Sequence, residues 1–215
     1  MMIFFDMDGL LIDSEKIYNE CWVYAAAEMG YELSIAEALK LRSLDANLAQ
    51  EFLREMYCDE KAYTLIRKQR KKIMSEILKE IPLKSKPGVE YILEVLEAKK
   101  IDCAIVTSAP VARAKEYLES AGIRYEFKNI ISTEFVKRGK PFPDVYQYAI
   151  STLKIDSSHV LALEDSPNGL KSAHLAGCKT VMIPDLTDWN NEMKEYVDYK
   201  FDSLTECADF IKMNF

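Results

Sequence analysis

At 215 residues the chain is long enough for one full core plus a small inserted domain, and its 49% hydrophobic and 29% charged residues match an ordinary folded globular protein, neither disordered nor membrane-embedded. The formal charge of −7 argues against a nucleic-acid partner. Five scattered cysteines without a C-x-x-C pair indicate neither a disulfide framework nor a zinc site; they point to a reducing compartment, with cytoplasmic location as the default.

The first strand candidate, MIFF at 2–5, runs directly into acid: IFFDMDGLLIDSE at 3–15 places Asp6, Asp8 and Asp13 within eight positions. From Ser14 to Leu83 no strand candidate appears, only helical periodicity, including SIAE at 34–37 as a capping box. Within this stretch the basic run IRKQRKK at 66–72 is flanked by Leu65, Ile66, Ile73 and Ile77 at helical spacing and reads as a solvated helix face. Tyr18, Trp22, Tyr24, Tyr31 and Tyr57 fall in helical patterns and read mostly as core, with one or two left to face a crevice.

LLIDSE at 10–15 and IPLKSKPG at 81–88 read as the outgoing and return linkers of this insert. Beyond it, helices and apolar strands alternate: helix 87–100, strand 103–107, helix 110–122 with Gly122 as its C-cap, strand 129–132, helix 143–154, strand 159–164, helix 166–177 and strand 179–183. The pattern predicts an α/β fold, a doubly wound Rossmann-like parallel sheet with an inserted all-helical cap. Residues 1–13 and 84–215 would form the catalytic core and 14–83 the cap domain. His159 and His174 read as structural, and DLTDWNNE around Trp189 as a loop and helix start beside the site.

In extended backbone alternate side chains share a face, so Asp6 and Asp8 point the same way, and Gly9 then lets the chain turn. Ligands of open α/β sheets bind at the carboxyl ends of strands, where this pair sits. Asp13 or Ser14 suits the N-cap of the helix that starts near Glu15. Three further clusters fall at strand ends or just before a helix: Thr107 and Ser108 in IVTSAP, Lys140 in KRGKPFPD, and Glu164 with Asp165 in LALEDSPNG.

This ordered set, D-x-D-G, a strand ending in Thr-Ser, a Lys in G-K-P-x-P-D and E-D-S-x-x-G with a helical insert after the first motif, resembles the haloacid dehalogenase superfamily, specifically its β-phosphoglucomutase-like branch. The resemblance covers essentially the whole chain. A carboxylate can attack phosphorus to give an acyl-phosphate, and a second acid can protonate the leaving oxygen and then activate water. Asp6 fits the first role and Asp8 the second, as the resemblance also implies. Asp6, Glu164 and Asp165 beside a phosphate dianion require a hard cation, and all-oxygen ligation suits Mg²⁺. By similarity its ligands would be Asp6, the backbone carbonyl of Asp8, Asp165 and Glu164, the last direct or through water. Lys140, Thr107 and the backbone N–H groups near Ser108 and Ala109 would hold the phosphate.

Several reactions belong to such a family. A dehalogenase should not need Asp8 or a metal, and no cap lysine is singled out for phosphonatase chemistry. A β-phosphoglucomutase would be expected to carry a histidine where this chain has Tyr18, and a cap Ser-Arg pair where it has Ser43-Leu44, with Arg42 one step away as a substitute. A non-enzymatic binding protein would be expected to lose Asp6 or Asp8. The expectation is therefore a Mg²⁺-dependent phosphatase of small phosphorylated metabolites, sugar phosphates or nucleotides, acting as a monomer without nucleic-acid or membrane partners.

Overall fold

The computed structural model describes residues 1–188 and 190–215. Trp189 lies outside the described residues, so its expected place beside the site is not taken further.

Apolar runs without alternation form strands buried on both faces, and five stand where the sequence places them: β1 (Met2–Phe5), β2 (Asp102–Thr107), β3 (Ile130–Ser132), β4 (Val160–Glu164) and β5 (Lys179–Met182). A sixth, β6 (Tyr199–Lys200), has two exposed residues and gives the sequence no pattern to read. All pairings are parallel, in the order β3-β2-β1-β4-β5-β6. Strand β1 is thus central, with Phe5 opposite Ile105 of β2 on one side and Leu163 of β4 on the other. The chain order reverses around it, which opens a crevice at the carboxyl ends.

Side-chain alternation sorts the two faces. Ile3 and Phe5 pack with α5 (Val89–Lys99), α6 (Val111–Ser120) and α9 (Leu204–Asn214), whereas Phe4 packs with α7 (Asp144–Leu153) and α8 (Pro167–Leu175). Ile3, Phe4 and Phe5 are fully buried, each side chain contributing about 1.5–3 kcal/mol of transfer free energy. Helix α6 caps at Ala121, one residue before the expected Gly122.

Between β1 and α5 lie only helices: α1 (Glu15–Glu28), α2 (Ile35–Lys40), α3 (Ala46–Tyr57) and α4 (Ala62–Glu80). The Ser34–Glu37 capping box starts α2 with both reciprocal bonds formed. These helices bury a core of their own around Trp22, Leu41, Leu53 and Ile66. The segments that leave and re-enter the sheet run side by side: Lys86 N–H donates to Leu11 O and Asp13 N–H to Lys84 O, both at 2.9 Å.

Candidate active site

The Asp6 N–H donates to Leu163 O at 3.0 Å, carrying the β1 ladder one residue past the strand and holding Asp6 at its carboxyl end. Asp6 and Asp8 both line a cavity of about 390 Å³ between the strand ends and the helical insert. Ser14 stands at the N-cap of α1 but leaves the helix uncapped; its hydroxyl donates to Asp8 Oδ1 at 2.6 Å instead. Burial raises the Asp8 pKa above the ordinary aspartate value, with Arg113 and the Ser14 bond opposing it.

Behind Asp6, Lys140 is fully buried, and its Nζ donates to Asp6 Oδ1 at 2.5 Å, Glu164 Oε1 at 2.7 Å and Val106 O at 3.1 Å. Burial alone would depress the ammonium pKa; Asp6 and Glu164 overcome it and hold the lysine charged. Tyr146 of α7 also donates to Glu164 Oε1, a contact nothing in the sequence announced.

Burial pushes Glu164 up to about 8, against Lys140, and Asp165 up to about 7, against Arg42. Carboxylate oxygens of Asp6, Glu164 and Asp165 lie within 4.8 Å of one another. Asp6 Oδ2, Glu164 Oε2 and both Asp165 oxygens are buried without a hydrogen-bond donor. An unsatisfied buried polar atom costs about 1–3 kcal/mol, and more when charged. Three converging carboxylates with unsatisfied oxygens, and no His or Cys among them, fit an oxygen-liganded divalent cation.

Two glycines make this crowding sterically feasible. Gly9 turns with φ +87°, and a Cβ there would lie 2.1 Å from Asp165 Oδ2; at Gly169 on α8 a Cβ would lie 1.9 Å from Glu164 Oε2. Gly169→Ala should therefore displace Glu164 and cost about 2 kcal/mol, a fall in Tm of roughly 4–8 °C in a thermal melt. An unchanged Tm would mean that Glu164 is free to move.

Thr107 and Ser108 line the cavity. Ala109 does not: it is fully buried, and its N–H donates to Thr107 Oγ1 at 3.0 Å, so in this conformation the expected phosphate donor is engaged within its own turn. Arg42 follows α2 and is buried; Nη2 donates to the Asp165 backbone O at 2.8 Å and Nη1 sits 3.3 Å from Asp165 Oδ2. It lines the cavity and faces the acidic cluster.

The basic run on α4 is corrected as well. Lys68 and Lys72 are exposed, but Arg67 and Arg70 are half-buried and line the cavity together with Tyr63 and the exposed Lys71 at its rim, because residues three and four apart share one helix face. Of the aromatics read from the sequence, Tyr18 and Trp22 reach the cavity; Tyr24 is exposed, and Tyr31 and Tyr57 pair with each other, ring centroids 4.8 Å apart.

Comparison with known proteins follows the same lines. A phosphorylated carbohydrates phosphatase from Thermotoga maritima is 30% identical over 83% of this chain and 82% of its own length. Hexitol phosphatase B from Escherichia coli is 26% identical over 95% and 92%. The crystal structure of a hydrolase from Pseudomonas syringae superimposes with a TM-score of 0.86 at 16% identity, over 99% of this chain and 98% of that one. Residues 3–183 match the profile of the haloacid dehalogenase-like hydrolases, and the chain belongs to that family.

Proposed function

We propose that the protein is a Mg²⁺-dependent phosphatase of small phosphorylated metabolites, with sugar phosphates and nucleoside monophosphates as the leading classes. The observation that carries this reading is the convergence of Asp6, paired to a buried Lys140, and Asp8 on one cavity beside an acidic cluster with unsatisfied oxygens.

A carboxylate oxygen of Asp6 attacks the substrate phosphorus as the bond to the leaving alkoxide oxygen breaks. Asp8, whose pKa burial raises above the ordinary aspartate value, gives its proton to that oxygen. The alcohol leaves, Asp8 takes a proton from water, and the water attacks the phosphorus of the aspartyl-phosphate, releasing phosphate and restoring Asp6. Thr107 and Ser108 hold the phosphate oxygens, and Lys140 fixes the Asp6 carboxylate and offsets its charge.

Asp6, Asp165 and the Asp8 carbonyl would hold Mg²⁺, with Glu164 contributing directly or through water since its Oε1 is committed to Lys140 and Tyr146. When bound, the ion neutralises the charge between the carboxylates and the phosphate dianion. Residues 14–83 act as a cap domain over a core of 1–13 and 84–215, closing on the paired linkers to exclude bulk water.

Two relatives named as phosphatases support hydrolysis over phosphoryl migration, as do Tyr18 and the turned-in Arg42. Phosphate release from a panel of sugar phosphates, nucleoside monophosphates and an aryl phosphate, with and without Mg²⁺, tests the reading. Release should require Mg²⁺. Isomerisation of β-glucose 1-phosphate without net phosphate release would replace it with a mutase.

A further inference from the structure

The cavity has a second pole. Arg67, Arg70 and Lys71 of α4 and Arg113 of α6 all line it, and among the described residues none of the four pairs with a carboxylate within salt-bridge distance. Of the acids on the same walls, Asp8 feels the charge of Arg113 at longer range than a salt bridge, and two others are engaged elsewhere. Asp45 accepts from the backbone N–H groups of Asn47 and Gly139, and Glu134 accepts from Val111 N–H. Unpaired cations are a poor fit to general solvation in a chain carrying −7 net charge, where acids outnumber bases.

Two of the cations are held in place rather than waving in solvent. The Arg70 guanidinium stacks over Trp22 at 4.5 Å and over Tyr18 at 4.9 Å, and Arg113 covers Tyr18 and Tyr117, each at 5.9 Å. Tyr18 is in turn fixed by its hydroxyl contact with Tyr117 at 2.9 Å. Arg70 Nε and Arg113 Nε are buried without a hydrogen-bond partner, although a buried guanidinium ordinarily has its donors satisfied. Rigid, half-buried arginines on an aromatic floor with spare donors are suited to bind an anion in a site that excludes much of the water.

We infer that this pole binds a second anionic group of the substrate, so that the preferred phosphate monoester also carries a carboxylate or a second phosphate on the end away from Asp6. The inference rests on the phosphatase reading for the position of the reacting phosphate, but not for the anion pole itself. Arg70 and Arg113 are then specificity-determining residues, and Arg67 and Lys71 add to the local positive potential.

Binding of three non-hydrolysable phosphonates to the full-length wild-type protein with Mg²⁺, measured by titration calorimetry, tests this without turnover. The probes are 3-hydroxypropylphosphonate, with a neutral end, 3-phosphonopropionate, with a carboxylate end, and propane-1,3-diphosphonate, with a second phosphonate. One or both anionic probes should bind about 10-fold or more tighter than the neutral one, the value of one charge-assisted hydrogen bond, and which of them does so identifies the anion. Arg70→Gln and Arg113→Gln should each collapse that ratio toward unity, while Arg70→Lys should keep part of it because the charge stays. Equal affinity for all three probes in the wild type, or a ratio unchanged in both glutamine variants, overturns the inference. Equal affinities alongside intact Mg²⁺-dependent phosphate release would overturn it alone and leave the phosphatase standing.

Discussion

Asp6→Asn should abolish phosphate release, by about 10⁴-fold or more, and leave the protein folded. The expected size follows from the loss of a covalent nucleophile, which in other hydrolases costs up to about 10⁶ in turnover. Asparagine keeps the shape and one acceptor oxygen for Lys140, which retains Glu164 and Val106 O as partners. Substrate binding and cap closure stay available while the acyl-phosphate does not form. Steady-state rates with the preferred substrate and a thermal melt check both halves. Activity above a few per cent of wild type in a folded variant would remove Asp6 from the nucleophile role.

Stabilisation by Mg²⁺ should grow steeply with pH. In the metal-free protein burial raises Asp165 to about 7 and Glu164 to about 8, against unfolded carboxylates near 4. Between those values the folded state binds more protons than the unfolded one, so this pair's contribution to stability is largest below the unfolded pKa and is lost as pH rises through 7 and 8. A cation binds the deprotonated form and reverses the trend, since metal and protons compete for the same oxygens.

At 100-fold excess over its dissociation constant a ligand adds about 2.7 kcal/mol, which for a chain of this size is a rise in Tm of roughly 5–10 °C. That rise should be near its full size at pH 8.5 and small at pH 5.5, and Asp165→Asn should remove most of it. A Mg²⁺ effect independent of pH would place the ion away from Glu164 and Asp165.

The sheet was legible because a doubly covered parallel strand has to be apolar on both faces, and Phe4, Ile105 and Leu163 announce themselves for that reason. The acidic site was legible because Asp6, Asp8, Glu164 and Asp165 sit where apolar strands stop, and such charge needs a purpose. Strand β6 and helix α9 were not foreseen. β6 is two exposed residues at a sheet edge, with no pattern of its own.

Less legible still was the inward face of the cap. Arg67 and Arg70 belong to a run that composition alone reads as solvated, and only the packing of α4 against α1, with Trp22 under Arg70, shows which of its basic residues turn inward. Arg113 and Tyr146 stand 43 and 76 residues beyond Arg70 and meet the site through the fold alone. The sequence carried the candidate acids on strand ends, which local rules position; the basic and aromatic lining of the cavity lies on helix faces brought together across the chain.

The most direct measurement is acid quenching of the enzyme during turnover with Mg²⁺ and a good substrate, followed by peptide mass analysis. The peptide containing Asp6 should carry one phosphoryl group that is lost on treatment with hydroxylamine, and Asp6→Asn should carry none. A phosphoryl group on another residue, or turnover at full rate with no phosphorylated peptide at any quench time, would contradict the account.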